Sequence, residues 1–150
     1  MPFLRVFVAL LTGLLGAASA AGQASSSNRV DEATFHAICA SCHNITLVDG
    51  LRTEEEWRDE INQMIKIGAR GTEEQFARVM RVLARTLTMV NINSANARQI
   101  APVLDVSDAV AVAIVKRRES TGNYKGLDDL AKIPGVDRQK LQARKDRITF

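Results

Sequence analysis

Cys39-Ala40-Ser41-Cys42-His43 holds both cysteines of the chain and one of its two histidines. Two thiols three positions apart, followed at once by an imidazole, form C-x-x-C-H, the spacing of covalent haem attachment. The chemistry explains the spacing: each thiol adds to one vinyl group of the porphyrin, and the adjacent imidazole reaches the iron from the same side. The same pair of cysteines also fits a redox disulfide or half of a zinc site. Zinc needs further thiol or imidazole ligands, and the other histidine, His36, is not in a finger-like spacing. A thioredoxin-like motif needs a βαβ context, whereas the flanks of this pentapeptide read as helix. The motif predicts one haem c, bonded through Cys39 and Cys42, with His43 on the iron.

Upstream, residues 1–5 carry one positive charge, residues 6–18 are an apolar run, and Ala18-Ser19-Ala20 supplies the small residues of a leader-peptidase site. The run falls short of the roughly 20 residues that span a bilayer. Export to the periplasm with cleavage near Ala20 is the expectation, leaving no membrane segment. Covalent haem attachment in bacteria takes place outside the cytoplasmic membrane, which agrees. Residues 21–28 read as a flexible polar lead-in, so the folded part is expected from Arg29.

Of the 150 residues, 46% are hydrophobic and 25% charged, a balance that excludes wholesale disorder, a collagen-like fibre and a polytopic membrane protein. Only 5% are aromatic, so a planar cofactor would help to fill the core. A net charge of +3 is too small to name a polyanionic partner.

Downstream, Thr53-x-x-Glu56 and Thr72-x-x-Gln75 are capping boxes that open two helices. Trp57, Ile61 and Met64 share one face of the first; Phe76, Val79 or Met80, Leu83 and Leu87 stripe the second. Phe35 and Ile38 lie one turn before the attachment site on a helix of their own. Glu54, Glu55 and Glu56 read as a solvated first turn favoured by the helix dipole. With two histidines and no paired acids in view, hydrolytic catalysis has little material.

The order of attachment motif, Arg52, the Trp57-bearing helix, Met64 and the Gly68-Ala69 turn resembles the small monohaem c-type cytochromes, over residues 29–87. The resemblance implies three helices packed around a haem and an electron-transfer role without catalysis. It also implies redox partner proteins such as a dehydrogenase or oxidase. By family position Met64 takes the iron face opposite His43; Met80, Met89 or no protein ligand at all are the alternatives, and His36 lies on the attachment side. A thioether ligand implies a fairly positive couple. Trp57 is expected to pack on the haem. Arg52 either pairs with a haem propionate or is a solvated surface residue.

From Val90 the chain repeats itself at an offset of 30: Ile100-Ala101 with Leu130-Ala131, Val103 with Ile133, Val106 with Val136, Ala113 with Ala143. Each unit reads helix, turn, helix. Val90-Asn91-Ile92-Asn93-Ser94-Ala95, Thr121-Gly122-Asn123-Tyr124-Lys125-Gly126-Leu127 and Ile133-Pro134-Gly135-Val136-Asp137 resemble the helix-hairpin-helix domain of exported competence DNA receptors. That resemblance implies phosphate binding by the amides of a Gly-x-Gly turn at a helix N-terminus. Here Asp105-Val106-Ser107 replaces both glycines and Gly135-Val136-Asp137 keeps one, which opposes anion binding. Charge pulls the other way. Residues 90–150 hold eleven Lys and Arg against seven Asp and Glu, and residues 29–89 eight against ten. Lys116, Arg117, Arg118, Lys140, Arg144, Lys145 and Arg147 are a candidate basic face or a solvated surface.

The expected architecture is all-α: a cytochrome c-like domain over 29–89 and a tandem helix-hairpin-helix domain over 90–150. The favoured function is a periplasmic electron carrier or haem subunit whose C-terminal half docks to protein. The alternative is an exported DNA-binding protein whose haem is structural or redox-sensing.

Overall fold

The computed structural model describes residues 17–150, so the expected leader lies mainly outside the described residues. Those residues form α1 (Ala17–Cys39), α2 (Glu54–Lys66), α3 (Glu73–Thr86), α4 (Ala97–Leu104), α5 (Asp108–Thr121), α6 (Leu127–Leu130) and α7 (Arg138–Ala143), with 3-10 turns at Ile45–Leu47 and Lys145–Arg147. None of the described helices is long and apolar enough to cross a membrane. The chain is mostly helical, with one departure from all-α: β1 (Val90–Asn91) pairs in parallel with β2 (Ile148–Thr149), Val90 opposite Ile148. Both of those side chains are buried, and their backbone groups need partners once water is excluded.

Residues 21–28, expected as a flexible lead-in, are helical within α1. This Ala-Gly-Gln-Ala-Ser-Ser-Ser-Asn stretch contains no proline, and the helix extends backwards from an anchor at Asp31. Asp31 is 1% exposed. Its carboxylate accepts two bonds of 3.0 Å from Arg81 and one of 3.2 Å from Arg85, with Arg78 at 3.8 Å. Arg78, Arg81 and Arg85 lie on one face of α3 at three- and four-residue spacing, so a single carboxylate meets all three.

Both capping boxes form: Thr53 accepts from the Glu56 amide and Thr72 from the Gln75 amide, each at 3.2 Å, and Glu56 and Gln75 reach back to the cap amides. The buried face of α3 is wider than the expected stripe. Val79, Val82 and Leu83 are its buried members, while Phe76, Met80 and Leu87 are partly covered. The extra member follows because α3 packs on α1 and also on α4.

The C-terminal half has its own core, in which Ile100 and Leu130, and Val103 and Ile133, are buried equivalents across the repeat. Ala111 and Leu141, also 30 apart, are both buried, whereas Ala113 and Ala143 are exposed. The repeated alanines mark two matching solvent faces, not a shared core position. Asn91 and Asn93 tie the opening segment down: Asn91 Oδ1 accepts from the Asn93 and Ser94 amides, and the Asn93 amide group bonds the Tyr124 backbone both ways.

Asp105 adopts φ 55°, ψ 51°, the left-handed conformation that its repeat equivalent Gly135 takes at φ 89°. Asp tolerates this region better than most residues. A Cβ on Gly135 would meet Val110 Cγ2 at 2.6 Å. Gly135→Ala is therefore expected to lower unfolding stability by about 1–3 kcal/mol, read by thermal or urea melts, from overpacking and backbone strain together.

Candidate cofactor site

A cavity of about 320 Å³ lies among the first three helices, within the size range of cofactor pockets. Phe35, Ile38 and Cys39 of α1 line it with Cys42 and His43 of the next turn. Leu47, Val48 and Arg52 come from the following loop, Trp57, Ile61 and Met64 from α2, and Phe76, Val79 and Leu83 from α3. Cys39, Cys42, His43, Arg52, Trp57 and Met64, separated by up to 25 positions in sequence, are thus brought together. Met80 lines a different groove beside Arg81 and Pro102, and neither Met89 nor His36 lines the cavity. His36 is exposed and meets Phe35 edge-on.

The two thiols differ. Cys39 ends α1 and is partly covered, and burial pushes its thiol up, whereas Cys42 is exposed. They are not joined to each other. His43 Nδ1 lies 3.1 Å from the Asn44 carbonyl, which can only accept. Nδ1 therefore carries the proton in the neutral ring, leaving the Nε2 lone pair available to a metal. Such a partner on the other ring nitrogen is the usual support of a ligating histidine.

Trp57 is 3% exposed and its Nε1 donates to the Leu87 carbonyl at 3.1 Å. Arg52 lies between the two roles expected for it. Its Nη1 donates to the Asp49 carbonyl at 2.6 Å, and its guanidinium sits 4.6 Å from the centroid of the Trp57 ring. It is held in place at the cavity, with donors beyond the one spent on Asp49.

The donor set fits a covalently held haem: two free thiols, an imidazole with a supported proton on Nδ1, and a thioether line one largely apolar pocket. Among the described residues no cluster of three or more His, Cys, Asp or Glu is arranged for a bare metal ion.

The helix-hairpin-helix turns are occupied by the protein's own side chains. Ser107 accepts from the Val110 amide at 3.3 Å, and Asp137 accepts from the Gln139 and Lys140 amides at 2.8 and 3.0 Å. Those amides hold the Asp137 carboxyl below its usual range. Asp105 binds Lys140 at 2.9 Å and Arg144 at 3.4 Å. Arg118 donates to the Ile92 and Ala95 carbonyls, and Arg147 to Ala84, Arg85 and Thr88. Of the expected basic face, Lys116, Arg117 and Lys145 remain exposed and outside these bonds.

Sequence reasoning missed the Asp31 hub and the structural roles of Arg118 and Arg147. Only the spacing of Arg78, Arg81 and Arg85 carried a signal for the first.

Residues 86–149 match the family described as helix-hairpin-helix motif. The chain is 36% identical over 62 residues to an uncharacterized protein of Haemophilus influenzae, a stretch that is 41% of this chain and 55% of that protein. The chain thus spans about half the length of this curated relative. No solved structure matches. The C-terminal half carries a helix-hairpin-helix motif.

Proposed function

We propose that this chain is a periplasmic single-haem c-type protein that passes single electrons, with its C-terminal half serving as a docking module. One observation carries the reading: the cavity gathers Cys39 from α1, Cys42 and His43 from the turn after it, and Trp57 and Met64 from α2. Bound haem supplies a one-electron iron couple. Cys39 and Cys42, both free thiols here, would hold the group by thioether bonds. His43 offers Nε2 while the Asn44 carbonyl keeps the proton on Nδ1. Met64, which lines the same cavity, would offer its thioether, a ligand that favours the reduced form relative to a second imidazole. Phe35, Trp57, Val79 and Leu83 are buried and exclude water from the lining. An absorption spectrum of the exported protein, oxidised and reduced, with a haem-stained denaturing gel, tests the reading. Colourless, fully folded protein made alongside a working maturation apparatus overturns it.

Met64→Ala is expected to abolish the weak red-edge absorption band of Met-ligated ferric haem. Persistence of that band would move the ligand away from Met64.

Nucleic-acid binding is the second reading, favoured by the family match to residues 86–149. Against it stand the capped turn amides at Ser107 and Asp137 and the engagement of Lys140, Arg144, Arg118 and Arg147 within the fold. No retardation of duplex DNA at low salt is the expected result. Retardation that weakens with salt in proportion to phosphates contacted, and is lost in Lys116→Ala/Arg117→Ala, establishes the second reading instead.

A further inference from the structure

We infer that Arg147, in the C-terminal half of the chain, is a positioning residue for the wall of the cavity in the N-terminal half. Its guanidinium donates from Nη2 to the Ala84 carbonyl at 2.7 Å, from Nη1 to Arg85 at 2.6 Å and from Nε to Thr88 at 2.9 Å. These carbonyls belong to the end of α3 and the segment just after it, which the helix itself leaves without partners. A cation at this end also complements the helix dipole.

The same segment holds two cavity residues. The Leu87 carbonyl accepts the Trp57 indole proton at 3.1 Å and the Arg52 amide at 3.2 Å, and the Met89 amide returns to the Arg52 carbonyl at 2.8 Å. Arg52 in turn lies over the Trp57 ring. The Leu87 carbonyl, which takes the Trp57 indole and the Arg52 backbone amide, therefore lies between carbonyls that Arg147 clamps on both sides of it in sequence, Arg85 before and Thr88 after. Arg147 is half-buried, and among the described residues it pairs with no carboxylate; its three carbonyl bonds compensate its desolvation. The β1–β2 pairing beside it, Val90 with Ile148, holds the arginine at this place.

The consequence is that the C-terminal half, which lines none of the cavity, supports its wall through Arg147, which gives a reason for joining the two halves in one chain. The inference deepens the haem reading, because Trp57 and Arg52 matter as cavity residues under it. The clamp itself can be tested without colour.

The chain has a single tryptophan, so the indole proton of Trp57 is one resolvable signal in the full-length mature protein. Its exchange with solvent measures opening of the bond to Leu87. In Arg147→Ala, under conditions where circular dichroism reports a fully folded protein, that exchange is expected to rise about tenfold, the signature of a local opening. Arg118→Ala, which removes a comparable carbonyl clamp wholly inside the C-terminal half, is expected to leave it within about twofold. An unchanged Arg147→Ala, or an equal rise in both variants, overturns the inference, since a general loosening would then be the cause. Should Arg147→Ala not fold, Arg147→Lys decides: a lysine cannot serve three carbonyls with a planar fork, so a rise of about threefold is expected, and none overturns the inference. A tenfold rise in a protein that carries no haem leaves Arg147 in its role and removes the haem reading alone.

Discussion

Protein carrying Cys39→Ser and Cys42→Ser is expected to be colourless and to lose cooperative unfolding in its first three helices while the C-terminal half stays folded. The physical ground is the difference between the two cores. Among the described residues the N-terminal cluster has only Phe35, Trp57, Val79, Val82 and Leu83 as buried apolar members, and four of these, all but Val82, line a cavity of about 320 Å³. A domain of roughly 60 residues is marginal unless a cofactor or metal adds to its core. Among the described residues the C-terminal cluster has thirteen buried members, a larger core for a half of similar length. Hydrogen exchange read by region should show α2 and α3 losing most of their protection, with α4 and α5 close to the parent. An unchanged melting profile throughout would show that nothing at Cys39 and Cys42 supports the fold.

Asp31→Asn is the second large effect. The carboxylate is buried against the guanidinium groups of Arg81, Arg85 and Arg78, and removing its charge leaves three cations that share only the more exposed Glu74 and Glu32. Breaking a buried pair from one side costs about 3–5 kcal/mol. Here Arg81 is 45% exposed and Arg85 26%, so solvent screens part of the repulsion and about 2 kcal/mol is expected. Burial pushes the Asp31 carboxyl up, and the hydrogen bonds and charges of Arg81 and Arg85 together outweigh it, holding the group below its usual range. Its folded value is thus lower than its unfolded value of about 3.9. Its contribution is full above that unfolded value and is lost as pH falls through the folded one. The parent protein should therefore lose stability on acidification below about pH 4, and Asp31→Asn should flatten that limb of the curve. An acid limb as steep in the variant as in the parent would assign the loss to other carboxylates.

How much was legible in advance follows the range of the interactions. Thr53 with Glu56 and Thr72 with Gln75 cap helices through bonds that span three residues, so composition at fixed spacing is enough to place both starts. Trp57, Ile61 and Met64 share a face by helical geometry alone, and all three line the cavity. The left-handed turn at Asp105 is the repeat equivalent of Gly135, a correspondence visible at the offset of 30.

Long side chains were a different matter. Arg118 and Arg147 read as members of a basic face, because a cation's partner cannot be read from its neighbours in the chain. Arg118 meets carbonyls 23 and 26 residues away, and Arg147 carbonyls 59 to 63 residues away. Asp31 was likewise unremarkable, since its guanidinium partners lie 50 and 54 positions on. Spacing, capping and the C-x-x-C-H pentapeptide depend on local covalent geometry, which the order of residues specifies directly. Burial of a charge, the filling of turn amides and the shape of the cavity depend on which surfaces meet after collapse, and packing of α3 between α1 and α4 decided them.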